Sequence, residues 1–273
     1  MFIIRFLVYT NLLISCCAGT IVYGFVNYLG VPNEWHYFVC VFGATLFIYS
    51  FQRIIRLRGF KNSSSKRHIW LQKNKFFIYA FAFSGLVLAA LFYLLFFFSI
   101  SSFIFLSIIG FCSLLYPLRL KKNLPTLREL PFLKIHIIAL SWTLVCLVWP
   151  LFYNQTSFIA SYFIIFIANY LFFIAITIPF DIRDLPFDLP NQKTIPQLYG
   201  IKKSKMIAFL LLSISFVLLA YVELGFLFNP LFYTTYFGNA FLLFYIKSNT
   251  SELVFSGVLD GWLMLYGLMW LAL

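Results

Sequence analysis

The chain has 273 residues, of which 63% are hydrophobic and only 10% charged, with a formal net charge of +12 and a mean hydropathy of +0.94. So little polar surface cannot cover a water-soluble domain, and lipid must be the solvent for most of the molecule. Because no soluble module remains to carry it, nucleic-acid binding is excluded despite the basic balance.

A helix needs roughly 20 apolar residues to cross a bilayer. Apolar run length and the polar, Pro and Gly breaks predict spans over 6–29, 36–54, 75–98, 100–118, 133–151, 158–179, 205–223, 230–246 and 252–271. The fold class expected is all-α, a polytopic transmembrane helix bundle of about nine spanning helices, with residues 1–273 as a single integral-membrane domain. The narrowest boundary is at 98–102, where a merged or broken helix is the alternative. Cys16, Cys17, Cys40, Cys112 and Cys146 all fall in apolar runs without zinc-ligand spacing, and they read as small buried hydrophobes. Leu13-Ile14-Ser15-Cys16 looks like a lipoprotein cleavage box, a reading opposed by the multi-spanning body that follows.

The 20 basic residues sort by loop. Arg5 precedes the first span; Arg53, Arg56, Arg58, Lys61, Lys66, Arg67, Lys73 and Lys75 lie between the second and third. Arg119, Lys121, Lys122, Arg128 and Lys134 follow the fourth; Arg183, Lys193, Lys202, Lys203 and Lys205 follow the sixth, and Lys247 the eighth. All therefore lie on one face, which the positive-inside rule assigns to the cytoplasm. The expectation is a protein of the cell inner (plasma) membrane, N-terminus cytoplasmic and C-terminus outside. Orientation and anchoring to anionic headgroups account for most of these charges.

One connection asks for more. The segment after span six, Phe180 to Pro196, holds three of the eight acidic residues. Asp181, Asp184 and Asp188 follow an i, i+3, i+7 spacing that puts three carboxylates on one side of a helix. Pro186 predicts that the helix stops or kinks near Asp184, which leaves Asp188 the least secure of the three. Two readings stay open: a Mg²⁺ site, whose hard oxygens suit a metal bridging a diphosphate, or a solvated turn neutralised by Arg183 and Lys193.

The string DIRDLPFDLPNQKTIPQLYG, directly after an apolar span, resembles the second aspartate-rich motif of the UbiA superfamily of intramembrane prenyltransferases, with Lys193-Thr194-Ile195-Pro196 and Gly200 in the following segment. Tyr116-Pro117-Leu118-Arg119-Leu120-Lys121 is similar to that family's YPxxK/R-type segment. The resemblance implies transfer of a prenyl group from a polyprenyl diphosphate to a lipophilic, or aromatic, acceptor inside the membrane. Its partners would be membrane lipids, the diphosphate donor and that acceptor, with Mg²⁺ as cofactor. It implies catalytic roles for Asp181 and Asp184, metal ligation by Asp181, Asp184 and Asp188, and diphosphate contacts from Arg119, Lys121 and Lys193.

The first aspartate-rich motif is degenerate. At the end of span two Ser50 stands where the family has Asn, and Gln52 and Arg56 stand in carboxylate slots. Since guanidinium binds phosphate bidentately without metal, Arg53 and Arg56 become candidates for holding the diphosphate in place of one Mg²⁺. The alternative function is a non-catalytic isoprenoid or quinone-type lipid-binding protein that has lost half of the metal clamp. A transporter is disfavoured, because intramembrane ionisable residues are few: His136, Glu223 and Asp260.

Overall fold

The computed structural model describes residues 2–59, 66–121, 124–156, 159–186, 188–247 and 250–273. Lys61 and Lys122, named above, lie outside the described residues. The described chain runs α1 (Phe2–Tyr9), α2 (Leu12–Tyr28), α3 (Glu34–Gly59), α4 (Lys66–Lys73), α5 (Lys75–Phe92), α6 (Ile100–Leu115), α7 (Leu133–Thr143), α8 (Trp149–Tyr153), α9 (Ala160–Asp184), α10 (Ile195–Val222), α11 (Pro230–Tyr245) and α12 (Asp260–Leu271). Each predicted span corresponds to a helix or a helical run, but the count of about nine crossings is not confirmed. Among the described residues six runs are long and apolar enough to cross a membrane: Glu34–Leu57, Lys75–Phe97, Leu133–Tyr153, Ala160–Asp184, Ile195–Val222 and Val254–Leu271. The pair Ile3–Tyr9 and Leu12–Tyr28, bent by 72°, brings the number to seven. The helices α6 and α11 have 16 residues each. At 1.5 Å per residue they reach about 24 Å, short of a hydrocarbon core of about 30 Å.

Local sequence explains the breaks. Between α5 and α6 the chain leaves helical geometry, and the Ser99 hydroxyl accepts the Ser102 N–H at 3.1 Å, so the boundary near 98–102 is a genuine N-cap. Pro150 has no N–H to give Cys146, and the run α7 to α8 absorbs the loss as a π segment over Leu144–Val148. Thr194 and Gln197 form a reciprocal capping box at the start of α10, with Pro196 in the first turn.

The helix α2 packs between α3 and α12, and α9 packs against α10 and α7. Without a hydrophobic drive inside lipid, close backbone approach supplies the attraction. A Cβ on Gly43 of α3 would lie 2.8 Å from Gly85 O of α5, and one on Gly24 of α2 would lie 2.1 Å from Gly267 O of α12. Buried polar groups are matched across helices, as lipid demands: Trp149 Nε1 donates to Ser102 Oγ at 2.9 Å, the Ser215 and Tyr236 hydroxyls meet at 2.7 Å, and Tyr266 OH bonds Asn169 Oδ1. Glu223 takes the Tyr28 hydroxyl at 3.1 Å, and His136 Nδ1 lies 2.6 Å from Tyr170 OH, so both have local partners. Cys17, Cys40 and Cys146 are buried as expected; Cys112 is exposed, among the apolar side chains that α6 turns outward.

Candidate functional site

The polar site lies where the last turns of α3 and α9, the first turn of α7, the α1–α2 bend and the start of α12 converge. As Pro186 predicts, α9 ends at Asp184, yet the Asp188 N–H donates to Asp184 O at 2.9 Å and keeps the third aspartate beside the other two. The side chains of Asp181 and Asp188 are each only 2% exposed. What they face is Lys134, on the second residue of α7. Its ammonium lies 2.8 Å from Asp181 Oδ1, 2.9 Å from Asp188 Oδ2 and 3.5 Å from Asp184 Oδ2. Arg128 Nη2 sits 3.1 Å from Asp184 Oδ2 and 3.4 Å from Asp188 Oδ1, while Arg183 Nε donates to Asp184 Oδ1 at 2.8 Å. The Arg183 guanidinium also covers the Phe180 and Phe255 rings, 5.1 and 5.5 Å from their centroids. Burial opposes the charge of Arg128, but Tyr116, Asp184 and Asp188 outweigh it and hold this guanidinium above its usual range.

The facing wall has the opposite character. Ser50 is fully buried and accepts a hydrogen bond from Asn11 Nδ2 at 3.4 Å; Gln52 Nε2 reaches Ser113 O at 3.5 Å. Arg67 is anchored by Val8 O at 3.1 Å and by Asn11 Oδ1, Ser256 Oγ and Glu252 Oε1 at 3.3 Å each. Burial pushes its pKa down, partly offset by Glu252. Arg53 and Arg56 line the same space, and among the described residues neither makes a hydrogen bond or an ion pair. Asp184 acts on Arg56, and Glu252 and Asp260 on Arg53, only from beyond ion-pair distance, so these two half-buried guanidinium groups have no contact partner for their N–H donors.

Between the walls lies an open cavity of about 200 Å³. Arg53, Arg56, Arg67, Arg128, Lys134 and Arg183 line it against two carboxylates, Asp184 and Asp260. Its apolar lining, including Ile48, Ile138, Trp142, Phe173, Ile176 and Leu263, comes from positions deeper along the same helices. Phe173 precedes Asp184 by 11 residues on α9, a depth of about 16 Å. The carboxylate of Asp260 follows a π segment over Val254–Leu259 and, among the described residues, accepts no hydrogen bond and joins no ion pair. Such segments often mark functional positions in helices.

The sequence-derived residues therefore divide. Asp181, Asp184 and Asp188 come together, and Gln52, Arg53 and Arg56 face Asp184 across the cavity. Arg119 lies outside its lining, paired with Glu129 at 2.7 Å; Lys121 and Lys193 are exposed and do not line it either, Lys193 being the left-handed residue before the α10 cap. Sequence reasoning missed Lys134, Arg128, Arg67 and Asp260 as site residues. A signal existed for Lys134: it is a lone cation inside the apolar run Leu133–Leu140, where charge is expensive unless paired.

The aspartates do not fit the Mg²⁺ implied by the family resemblance. Their convergence point is taken by the Lys134 ammonium, and the facing wall offers guanidinium groups, which cannot ligate a metal. Among the described residues no group of three His, Cys, Asp or Glu side chains is arranged to hold a metal ion.

No protein-family model matches the sequence, and neither does any curated protein. The fold, by contrast, has close counterparts among solved structures. A UbiA homolog from Archaeoglobus fulgidus bound to GPP and Mg²⁺ superposes with a TM-score of 0.63 over 97% of this chain and 100% of its own, at 15% identity. A UbiA homolog from Archaeoglobus fulgidus bound to DMAPP and Mg²⁺ gives 0.56 over 97% and 99%, also at 15% identity. A structure of digeranylgeranylglyceryl phosphate synthase gives 0.55 over 98% and 96%, at 18% identity. The chain is an integral membrane protein with the UbiA-type helical fold.

Proposed function

We propose that this chain is a divergent member of the UbiA superfamily that transfers a prenyl group from a polyprenyl diphosphate to a lipophilic acceptor within the membrane. The observation that carries this reading is one cavity with a cationic head at the helix ends and an apolar shaft below, in a fold whose solved counterparts bind GPP or DMAPP. The basic head suits a diphosphate; the shaft of Ile138, Trp142, Phe173 and Ile176 suits an isoprenoid chain. In the reaction the allylic C–O bond breaks, and its electron pair leaves with the diphosphate. A nucleophilic atom of the acceptor bonds to the freed carbon and gives up a proton, for which the unpaired Asp260 carboxylate is the candidate acceptor. Mg²⁺, bound beside GPP and DMAPP in two of the neighbours, would supply positive charge to the leaving diphosphate. In this chain the guanidinium groups of the head supply it. The excess of Lys and Arg in the loops on one side supports a cytoplasmic cavity mouth in the inner membrane, with the N-terminus on that side.

A second reading, non-catalytic binding of an isoprenoid or quinone-type lipid, is favoured by one observation: the three aspartates are consumed in ion pairs. Purified protein in lipid nanodiscs, given a prenyl diphosphate and a mixed pool of lipophilic acceptors, separates the two. Release of diphosphate with appearance of a prenylated acceptor is expected. Tight lipid binding without release from any donor would establish the second reading instead.

A further inference from the structure

The two walls of the cavity differ in a way that bears on how a diphosphate is held. A carboxylate triad organised for a divalent metal leaves a void at its centre; here an ammonium fills that point, within 2.9 Å of Asp181 and Asp188 and 3.5 Å of Asp184. Arg128 and Arg183 take further oxygens of the cluster, which leaves Asp184 with three cationic neighbours. The triad is thus neutralised by the chain itself, and admitting a metal would require Lys134, which is 5% exposed, to be expelled from a closed setting. On the other wall Arg53 and Arg56 make no hydrogen bond or ion pair among the described residues, and Arg67 next to them is fixed by four acceptors. An unpaired guanidinium at the edge of lipid is costly, and a phosphate oxygen satisfies it bidentately.

We propose that this site binds its diphosphate without a divalent metal, with Lys134 serving as a tethered cation in the aspartate cluster and Arg53 and Arg56 directly holding the anion. The inference rests on the prenyl-diphosphate reading above and deepens it. Charge placement is consistent with it: the lining cations Arg67, Arg128, Lys134 and Arg183 are paired with Glu252, Asp181, Asp184 and Asp188, which leaves Arg53 and Arg56 as the lining cations without an ion pair among the described residues. Lys134 is a positioning residue. It keeps the triad compact and Asp184 on Arg128 and Arg183, so that the head remains cationic. The shared ligand chemistry is a diphosphate group, whether on a free prenyl diphosphate or on a polyprenyl lipid resident in the membrane.

Calorimetric titration of nanodisc-embedded protein with GPP tests this, run with excess EDTA and with millimolar Mg²⁺, beside inorganic diphosphate and nanodiscs preloaded with a long-chain polyprenyl diphosphate. The expected result is GPP affinity that differs less than threefold between EDTA and Mg²⁺. R53Q/R56Q should lose at least about 100-fold in EDTA, and inorganic diphosphate should bind more weakly than GPP. Competition by the preloaded lipid would identify a membrane-resident source, and its absence a free donor; both outcomes uphold the inference. A second arm uses K134Q, in which the triad is freed: Mg²⁺ should now raise GPP affinity or the melting temperature, where it does neither in the parent. The parent titration stands alone if K134Q fails to fold. Binding of GPP only with Mg²⁺ overturns the metal-free inference and leaves the prenyl-diphosphate reading intact. Absence of binding under both conditions overturns both.

Discussion

The last two turns of α3 and the C-terminal end of α9 line one cavity and solve the same electrostatic problem in opposite ways. At the end of α9 and just beyond it, Asp181, Asp184 and Asp188 are each met by a cation within 3.5 Å, and the cluster is nearly closed to solvent. On α3, Arg53 and Arg56 present charge without a partner among the described residues. A paired buried cluster belongs to the fold, because removing one member strands the others. An unpaired cation lining a cavity works against stability and points to a ligand that arrives later. The aspartates, the feature that first draws attention in the sequence, therefore form the structural wall, and the arginines that stand in for the missing motif form the receptive one.

That contrast can be broken or sharpened by substitution. The largest effect is expected from Lys134→Ala, which strands the buried Asp181 outright and leaves the buried Asp188 with Arg128 alone. A loss of about 3–5 kcal/mol is expected, read as a drop in melting temperature, and K134A/D181N should recover part of it. Next comes R53Q/R56Q. Charge-assisted hydrogen bonds contribute about 1.5–3 kcal/mol each, so prenyl diphosphate affinity should fall at least about 100-fold while the melting temperature holds or rises. A double variant that melts lower would show that these arginines have structural partners and would erase the difference between the walls. Asp260→Asn should leave GPP binding within about threefold and cut turnover by about 10²-fold, the low end for loss of a general base; steady-state rates beside titrations make the distinction. The smallest effect belongs to Lys121→Ala and Lys193→Ala. Both side chains are exposed and away from the cavity lining, and binding should shift by less than about twofold.

Much of the architecture was legible in the sequence, since apolar run length is a direct physical requirement of the bilayer. All nine predicted segments are helical, and the end of α9 at Asp184 follows from Pro186. What hydropathy could not give was the number of crossings: α6 has the composition of a spanning helix without the length, and α11 is equally short. The bend between α1 and α2 went unread, although Asn11, a residue type that tolerates left-handed backbone, interrupts the apolar run 6–29. At the site, the i, i+3, i+7 spacing placed the aspartates together correctly, and the degenerate motif directed attention to Gln52, Arg53 and Arg56. The role of Lys134 was not legible, because it lies 47 residues before Asp181 and only the packing of α7 on α9 joins them. Lys193 shows the converse error. The segment Lys193 to Pro196 matches a family motif, yet in this chain Thr194, Pro196 and Gln197 build a helix N-terminus and leave Lys193 at the surface.

The most direct test of the contrast between the walls is an experimental structure of the protein with a non-hydrolysable thio-analogue of GPP, prepared in Mg²⁺. The expected density puts the diphosphate against Arg53 and Arg56 and the prenyl chain along Ile138, Trp142 and Phe173, with the Lys134 ammonium still between Asp181 and Asp188. A metal ion among the three aspartates with Lys134 displaced, and the diphosphate bound to that metal rather than to the arginines, would contradict it.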